Sequence, residues 1–124
     1  MSLFSLDISE ILGSPVGTLR EFHFEQSLPK DTFSDVICTE DLIMDIKLVH
    51  QSYGIECLFI SLETTINIPS ESIEWKEISL SNQSREFHLK KSEKDTDDIQ
   101  YIDTHDMIID LTQAIEEELL IAGL

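Results

Sequence analysis

Lysine and arginine are scarce in this chain: they number 8 against 25 Asp and Glu in 124 residues, a formal net charge of −17. Such a surface repels phosphate backbones and draws cationic partners, so direct nucleic-acid binding is not expected. Cysteine is nearly absent as well. Cys38 and Cys57 are unclustered and read as reduced, half-buried thiols of a cytoplasmic protein. No apolar run approaches the roughly 20 residues of a membrane helix. The opening "MSLFSLDISE" lacks the basic flank and small-residue cleavage site of a secretory signal, so the sequon Asn82-Gln83-Ser84 carries no glycan implication.

The marks of catalysis are missing too. His23, His50, His88 and His105 are scattered, with no two at a ligand spacing. The stretch "DTDDIQYID" echoes a calcium loop but has no glycine at its sixth position and no glutamate at its twelfth. There is no G-x-S-x-G elbow, no phosphate loop and no dinucleotide fingerprint. Arg20 and Arg85 are too few to grip phosphate. We therefore expect no enzyme activity, no metal and no cofactor.

What the chain does have is strand pattern. In "DLIMDIKLV", Leu42, Met44, Ile46 and Leu48 alternate with Asp45 and Lys47. In "GIECLFISLETTINIP", Leu58, Ile60, Leu62, Ile66 and Ile68 fall on one face, in a strand long enough to expect a bend or bulge. The polar "HQSYG" between them, with Gly54, reads as the turn of a β-hairpin. Upstream, "LREFHFEQ" sets Phe22 and Phe24 against Glu21, His23 and Glu25, and "DVIC" suggests a short strand. Downstream, "EWKEISLS" and "REFHLKK" are two weaker strands or one long bent one. Asp7 is placed to cap a short helix in "LDISEIL"; "KKSEKDTDDIQ" reads as a polar loop; no internal repeat is apparent.

The closing run "IIDLTQAIEEELLIAGL" reads as an amphipathic helix with Asp110 as N-cap, Gln113 completing a capping box and Gly123 as the stop. At about 100° per residue, Leu111, Ala114, Ile115, Leu119 and Ala122 share a face, extended by Ile108. Glu118 falls in the middle of that face, while Glu116 and Glu117 point away. Two readings stand side by side. Glu118 leans out to water near the helix end, or it is pinned between helix and sheet by Arg20, Arg85 or Lys47, since a lone desolvated carboxylate is too costly. Trp75, the sole tryptophan, either closes the core edge or stands exposed as a partner anchor.

The run "DLTQAIEEELLIAGL" resembles the closing motif of the DUF177 (YceD) family, an Asp-Leu followed by an acid and two or three aliphatics. Asp110, Leu111, Glu118, Leu119, Leu120 and Ile121 match it without gaps, and Leu124 stands where a proline is usual. "ILGSPVGTLREFHFE" is similar to the family's N-terminal section, and "EDLIMDIKLVHQSYGIECLFISLETTINI" to its central hairpin. The family's Cys-x-Arg-Cys-Leu is replaced by "PSESI", with Pro69 and Ser72 for the cysteines and Glu71 for the arginine, which removes any thiol, metal or RNA role of that element.

The resemblance implies a factor linked to accumulation of large-subunit ribosomal RNA, in a family whose genes often neighbour one for a small basic ribosomal protein. The combined expectation is one domain over residues 1–124 with an α+β fold. An antiparallel, strongly curled, open barrel-like sheet carries a short N-terminal helix and a C-terminal covering helix. Its function is then non-enzymatic, in large-subunit biogenesis, with an acidic surface holding a basic ribosomal protein or a pre-50S particle. The alternative is a generic acidic interaction module or adaptor. Trp75, Glu116 and Glu117 are the candidate partner contacts, Glu118 the motif acid and Asp110 the helix cap.

Overall fold

The computed structural model describes residues 3–38, 41–89, 100–102 and 105–124. The elements are β1 (Ser5–Asp7), α1 (Ser9–Leu12), β2 (Leu19–Gln26), β3 (Ile37–Cys38), β4 (Leu42–Gln51), β5 (Gly54–Asn67), β6 (Lys76–His88), β7 (Gln100–Tyr101), β8 (Ile108–Asp110) and α2 (Thr112–Gly123). The polar stretch expected over 90–100 lies, up to residue 99, outside the described residues. Among those described, no helix is long and apolar enough to cross a membrane.

Alternation in β4 produces the centre of the molecule. Leu42, Met44, Ile46 and Leu48 are fully buried. Each contributes about 1.5–3 kcal/mol by leaving water. The chain then reverses through Ser52-Tyr53 into β5, with Gln51 opposite Gly54. Gly54 is required there: its φ is +147°, and an added Cβ would run into the carbonyl oxygen of Phe87 on β6. On the other side β2 pairs with β4 in unbroken register, so Phe22 and Phe24 lie across from Ile46 and Met44.

The expected bulge in β5 exists, and it changes which residues are inside. Asp45 faces Ser61 but Ile46 faces Phe59, leaving Ile60 as the extra residue. Before it, Ile55, Cys57 and Phe59 are buried; after it, Leu62 and Ile66 are. The expectation that Leu58 and Ile60 share the buried face with Leu62 is therefore corrected: both are only half-buried. Apolar residues occur in both parities along this strand, so alternation alone could not date the switch. β6 makes the same switch opposite. Gln83 pairs with Phe59 and Ser81 with Ser61, while Asn82 between them adopts φ +58°. Ile78 is buried before Asn82 and Phe87 after it. The two strands bend together, and their mutual register is kept. The two weak downstream strands are thus one long bent strand.

The remaining elements roof the apolar face. β1 and β8 form a two-stranded antiparallel ribbon, with Leu6 opposite Ile109. The ribbon has local two-fold symmetry. "SLDISEIL" (5–12) and "IIDLTQAI" (108–115) each run from strand through Asp to helix, and the two strands share one burial pattern. Ile8 N–H donates to Met107 O at 2.9 Å, and Leu111 N–H donates to Phe4 O at 3.0 Å. Asp7 accepts the Ser9 amide at 2.9 Å, as Asp110 accepts that of Thr112 at 2.9 Å. A short repeat is therefore present where none was expected. It escapes sequence reading because it is degenerate, Asp-Ile-Ser against Asp-Leu-Thr. Phe4 from the ribbon packs edge-on against Phe24, 5.8 Å between centroids. Residues of the ribbon, both helices and the sheet form one continuous core.

The main sheet runs in the order β2-β4-β5-β6-β7, with β3 pairing β5 alongside and β7 joined to β6 in parallel. Strand makes up 51% of the described residues and helix 15%, and among them no sheet is closed or strongly curled. The expected curled, barrel-like sheet is thereby corrected. The physical reason is the roof. Ribbon and helices cover the apolar face, so the sheet has no need to fold on itself, and among the described residues β2 stands at its edge.

Asn82 is the hinge of the bend, and its left-handed backbone sets the expected outcome of substitution. Asn82→Gly should leave stability unchanged or higher, whereas Asn82→Val should lose about 1–2 kcal/mol. Urea unfolding with an unchanged m-value distinguishes the two.

Candidate functional site

The parity switch at Asn82 decides what lies under α2. After it, Arg85 is on the inner face opposite Cys57, beneath the helix. Its Nη2 lies 2.8 Å from Glu118 Oε1, and its Nη1 lies 2.8 Å from Glu117 Oε2. Arg85 Nε also donates to Glu118 Oε1, at 3.0 Å. Glu118 is buried at 8% exposure, and Arg85 is its partner among the three cations considered. Lys47 instead faces Glu21 across the other side of the sheet, and Arg20 is exposed on β2. Lys76, on the same inner face of β6, donates from Nζ to the Gly123 carbonyl at the end of α2. There it also meets the negative end of the helix dipole.

The other acids of α2 are also engaged within the chain. Glu116 Oε2 accepts the Asp35 amide at 2.8 Å, and Glu116 Oε1 accepts the Ser34 hydroxyl at 3.1 Å, tying the 31–36 loop to the helix. Glu117 holds Arg85 and also accepts from Gln113 Nε2 at 3.1 Å. Gln113 thus reaches forward along the helix and not back into a capping box. Leu111 occupies the formal N-cap position, and the Asp110 carboxylate closes the helix start from one residue earlier. Gly123 is the last helical residue and not the stop after it. Its role is contact, since a Cβ there would sit 2.9 Å from the methyls of Ile66 and Ile68.

Trp75 is 49% exposed, just after a loop whose Ile73 is 92% exposed. Asn67 shapes that loop by donating to the carbonyls of Ser72 and Glu74 at 2.8 and 3.0 Å. A cleft of about 640 Å³ opens between the 31–34 loop, α2 and β7.

The outer face of the main sheet is the feature that sequence reading did not assemble. Cross-strand partners share a face. β2 brings Glu21 and Glu25 to it, β4 Asp45, β5 Glu56 and Glu63, and β6 Glu77 and Glu86. Against these, the described residues place one lysine there, Lys47. Val49, Leu58 and Ile43 are half-buried apolar residues interspersed among the acids. Alternation signals acids opposite each apolar residue, but only strand order shows that four strands stack them side by side.

Within this face, His23 Nδ1 lies 2.6 Å from Asp45 Oδ1, and Ser61 Oγ donates to Asp45 Oδ2 at 3.2 Å. The carboxylate sits between imidazole and hydroxyl. His23 therefore cannot take the Ser61 proton, and the trio is not a nucleophilic triad. The hydrogen bond to Asp45 raises the His23 pKa against an opposing desolvation, with Glu25 adding a smaller push upward; the same bond lowers Asp45. Burial pushes the Cys57 thiol up to about 12, with Glu56 adding, which leaves it inert at neutral pH. Cys38 is raised by burial in the same direction. Among the described residues, no cluster of His, Cys, Asp and Glu could hold a metal. No family model, curated protein or solved structure matches this chain.

Two outcomes follow. Glu118→Ala should destabilise by about 3 kcal/mol, because Arg85 loses its buried partner and keeps only the more exposed Glu117. The double change Glu118→Leu with Arg85→Met should lose clearly less than Glu118→Ala, as a chemical-denaturation cycle would read. Separately, Asp45→Asn should return the His23 pKa toward 6.5 by NMR titration. Since the folded pKa is raised, this contact stabilises below 6.5 and its contribution is lost as pH rises through the folded value.

Proposed function

We propose that this chain is a non-enzymatic factor in large ribosomal subunit biogenesis that holds a basic ribosomal protein on the outer face of its sheet. The observation that carries this reading is the composition of that face. Among the described residues, β2, β4, β5 and β6 each contribute carboxylates, a lysine stands alone among them, and half-buried apolar residues are interspersed. Such a surface binds cationic polypeptide and repels polyanion. Its mode of action is shielding and handover. The acidic face keeps a basic protein off nonspecific RNA, and the phosphates of ribosomal RNA, a denser polyanion, then take the protein away.

The ribosomal setting comes from the resemblance of the closing run to the DUF177 (YceD) motif. Glu118, the motif acid, is the α2 carboxylate buried against Arg85. This supports reading the motif as the clamp that holds the fold, with partner contact made elsewhere.

A second reading is an adaptor that kept the fold and lost the ribosomal task. The loop standing where the family has Cys-x-Arg-Cys favours it. That loop carries no cysteine and presents exposed Ile73 and half-exposed Trp75, an apolar anchor for a different protein.

Affinity capture at low salt should enrich a basic ribosomal protein, with the yield falling steeply as salt rises. The chain should also cosediment with large-subunit precursors. Absence of both overturns the ribosomal reading, and normal large-subunit levels after depletion favour the adaptor.

A further inference from the structure

The edge of β2 is the part of this acidic surface with backbone to offer. β2 pairs with β4 on one side, and among the described residues nothing pairs with its other side. Along Leu19–Gln26, alternate N–H and C=O groups therefore face outward, a template for one more strand. Protein edges are commonly blunted by proline, lysine, a bulge or a covering element. β2 contains no proline and no lysine, and its register with β4 is unbroken. Its two faces differ. Glu21, His23 and Glu25 are exposed on the acidic outer face, with Asp45 beside His23. Phe22 and Phe24 are half-buried at the margin of the core.

We propose that the β2 edge takes up an extended basic segment of the partner polypeptide as an added strand. The segment alternates Lys or Arg with aliphatic residues. Its cations lie on the outer face across from Glu21 and Glu25, and its aliphatics extend the cover over Phe22 and Phe24. Backbone hydrogen bonds supply affinity, and the alternating side chains supply selectivity. The same charges reject a second copy of this chain. Antiparallel self-pairing centred on His23 sets Glu21 of one copy against Glu25 of the other, like charge facing like. Arg20 stays out of the way, because it sits across from Leu48 on the opposite face. This inference rests on the reading above that the partner is cationic polypeptide, and it adds how the partner is held.

The probe is a fluorescent peptide alternating lysine and valine, read by anisotropy at low salt against its glutamate-valine counterpart. The lysine peptide should bind and the glutamate peptide should not. Two further probes carry N-methyl groups on the lysine amides or on the valine amides. Successive amides of a strand point to opposite edges. One methylated probe should therefore keep its affinity while the other loses about tenfold or more. Equal binding of both would reduce the contact to charge adhesion and overturn the proposal. The double variant Glu21→Lys with Glu25→Lys should weaken the lysine peptide about tenfold or more. Glu56→Lys with Glu86→Lys, on the same face but away from the edge, should change it only slightly. Equal effects overturn the proposal, and unchanged melting curves verify that both variants are folded. Capture of an intact basic ribosomal protein without peptide binding overturns edge addition and leaves the functional reading standing. Edge-specific peptide binding without ribosomal capture does the reverse.

Discussion

A desolvated ion pair between Arg85 and Glu118 holds the sheet and its covering helix in one arrangement. Burying either charge alone would cost several kcal/mol, so each residue makes the other necessary. Apolar packing from Leu111, Ala114, Ile115 and Leu119 supplies the attraction between α2 and the sheet. Apolar packing tolerates sliding and rotation; a guanidinium held by two carboxylates does not. The pair exists only because β6 switches faces at Asn82. A regular strand with Ile78 inside would have put Arg85 in water. The fold therefore depends on one bent position in each of two neighbouring strands, Ile60 and Asn82.

This internal use of cations also shapes the outside. Arg85 and Lys76 are both turned under α2, one to carboxylates and one to the terminal carbonyl of the helix. The inner face thus draws on a scarce resource and leaves the outer face to the acids. Glu116, Glu117 and Glu118 are engaged with the chain's own groups.

Much of the architecture was legible in the sequence. The β4–β5 hairpin followed from clean alternation and a glycine that no other residue can replace. The covering helix followed from its apolar stripe, and the anomaly of Glu118 was visible as a charge on that stripe. Three features were not legible. The positions of the parity switches were hidden because β5 carries apolar residues in both parities. The ribbon's two-fold repeat was hidden because its two copies share chemistry and not letters. The open form of the sheet was hidden because closure depends on what covers the apolar face, which is a question about the whole molecule.

Local rules thus determined the elements, the turn at Gly54 and the need for a partner at Glu118, because periodicity, backbone sterics and desolvation act within a few residues. They also determined the sign of the surface, which composition alone dictates. Only the tertiary structure decided that Arg85 is the partner, that among the described residues β2 stands at the sheet's edge, and that the acids gather on one face. Those outcomes depend on strand order and on a one-residue slip. A slip of that kind moves every following side chain to the opposite face while leaving the sequence pattern on either side of it intact.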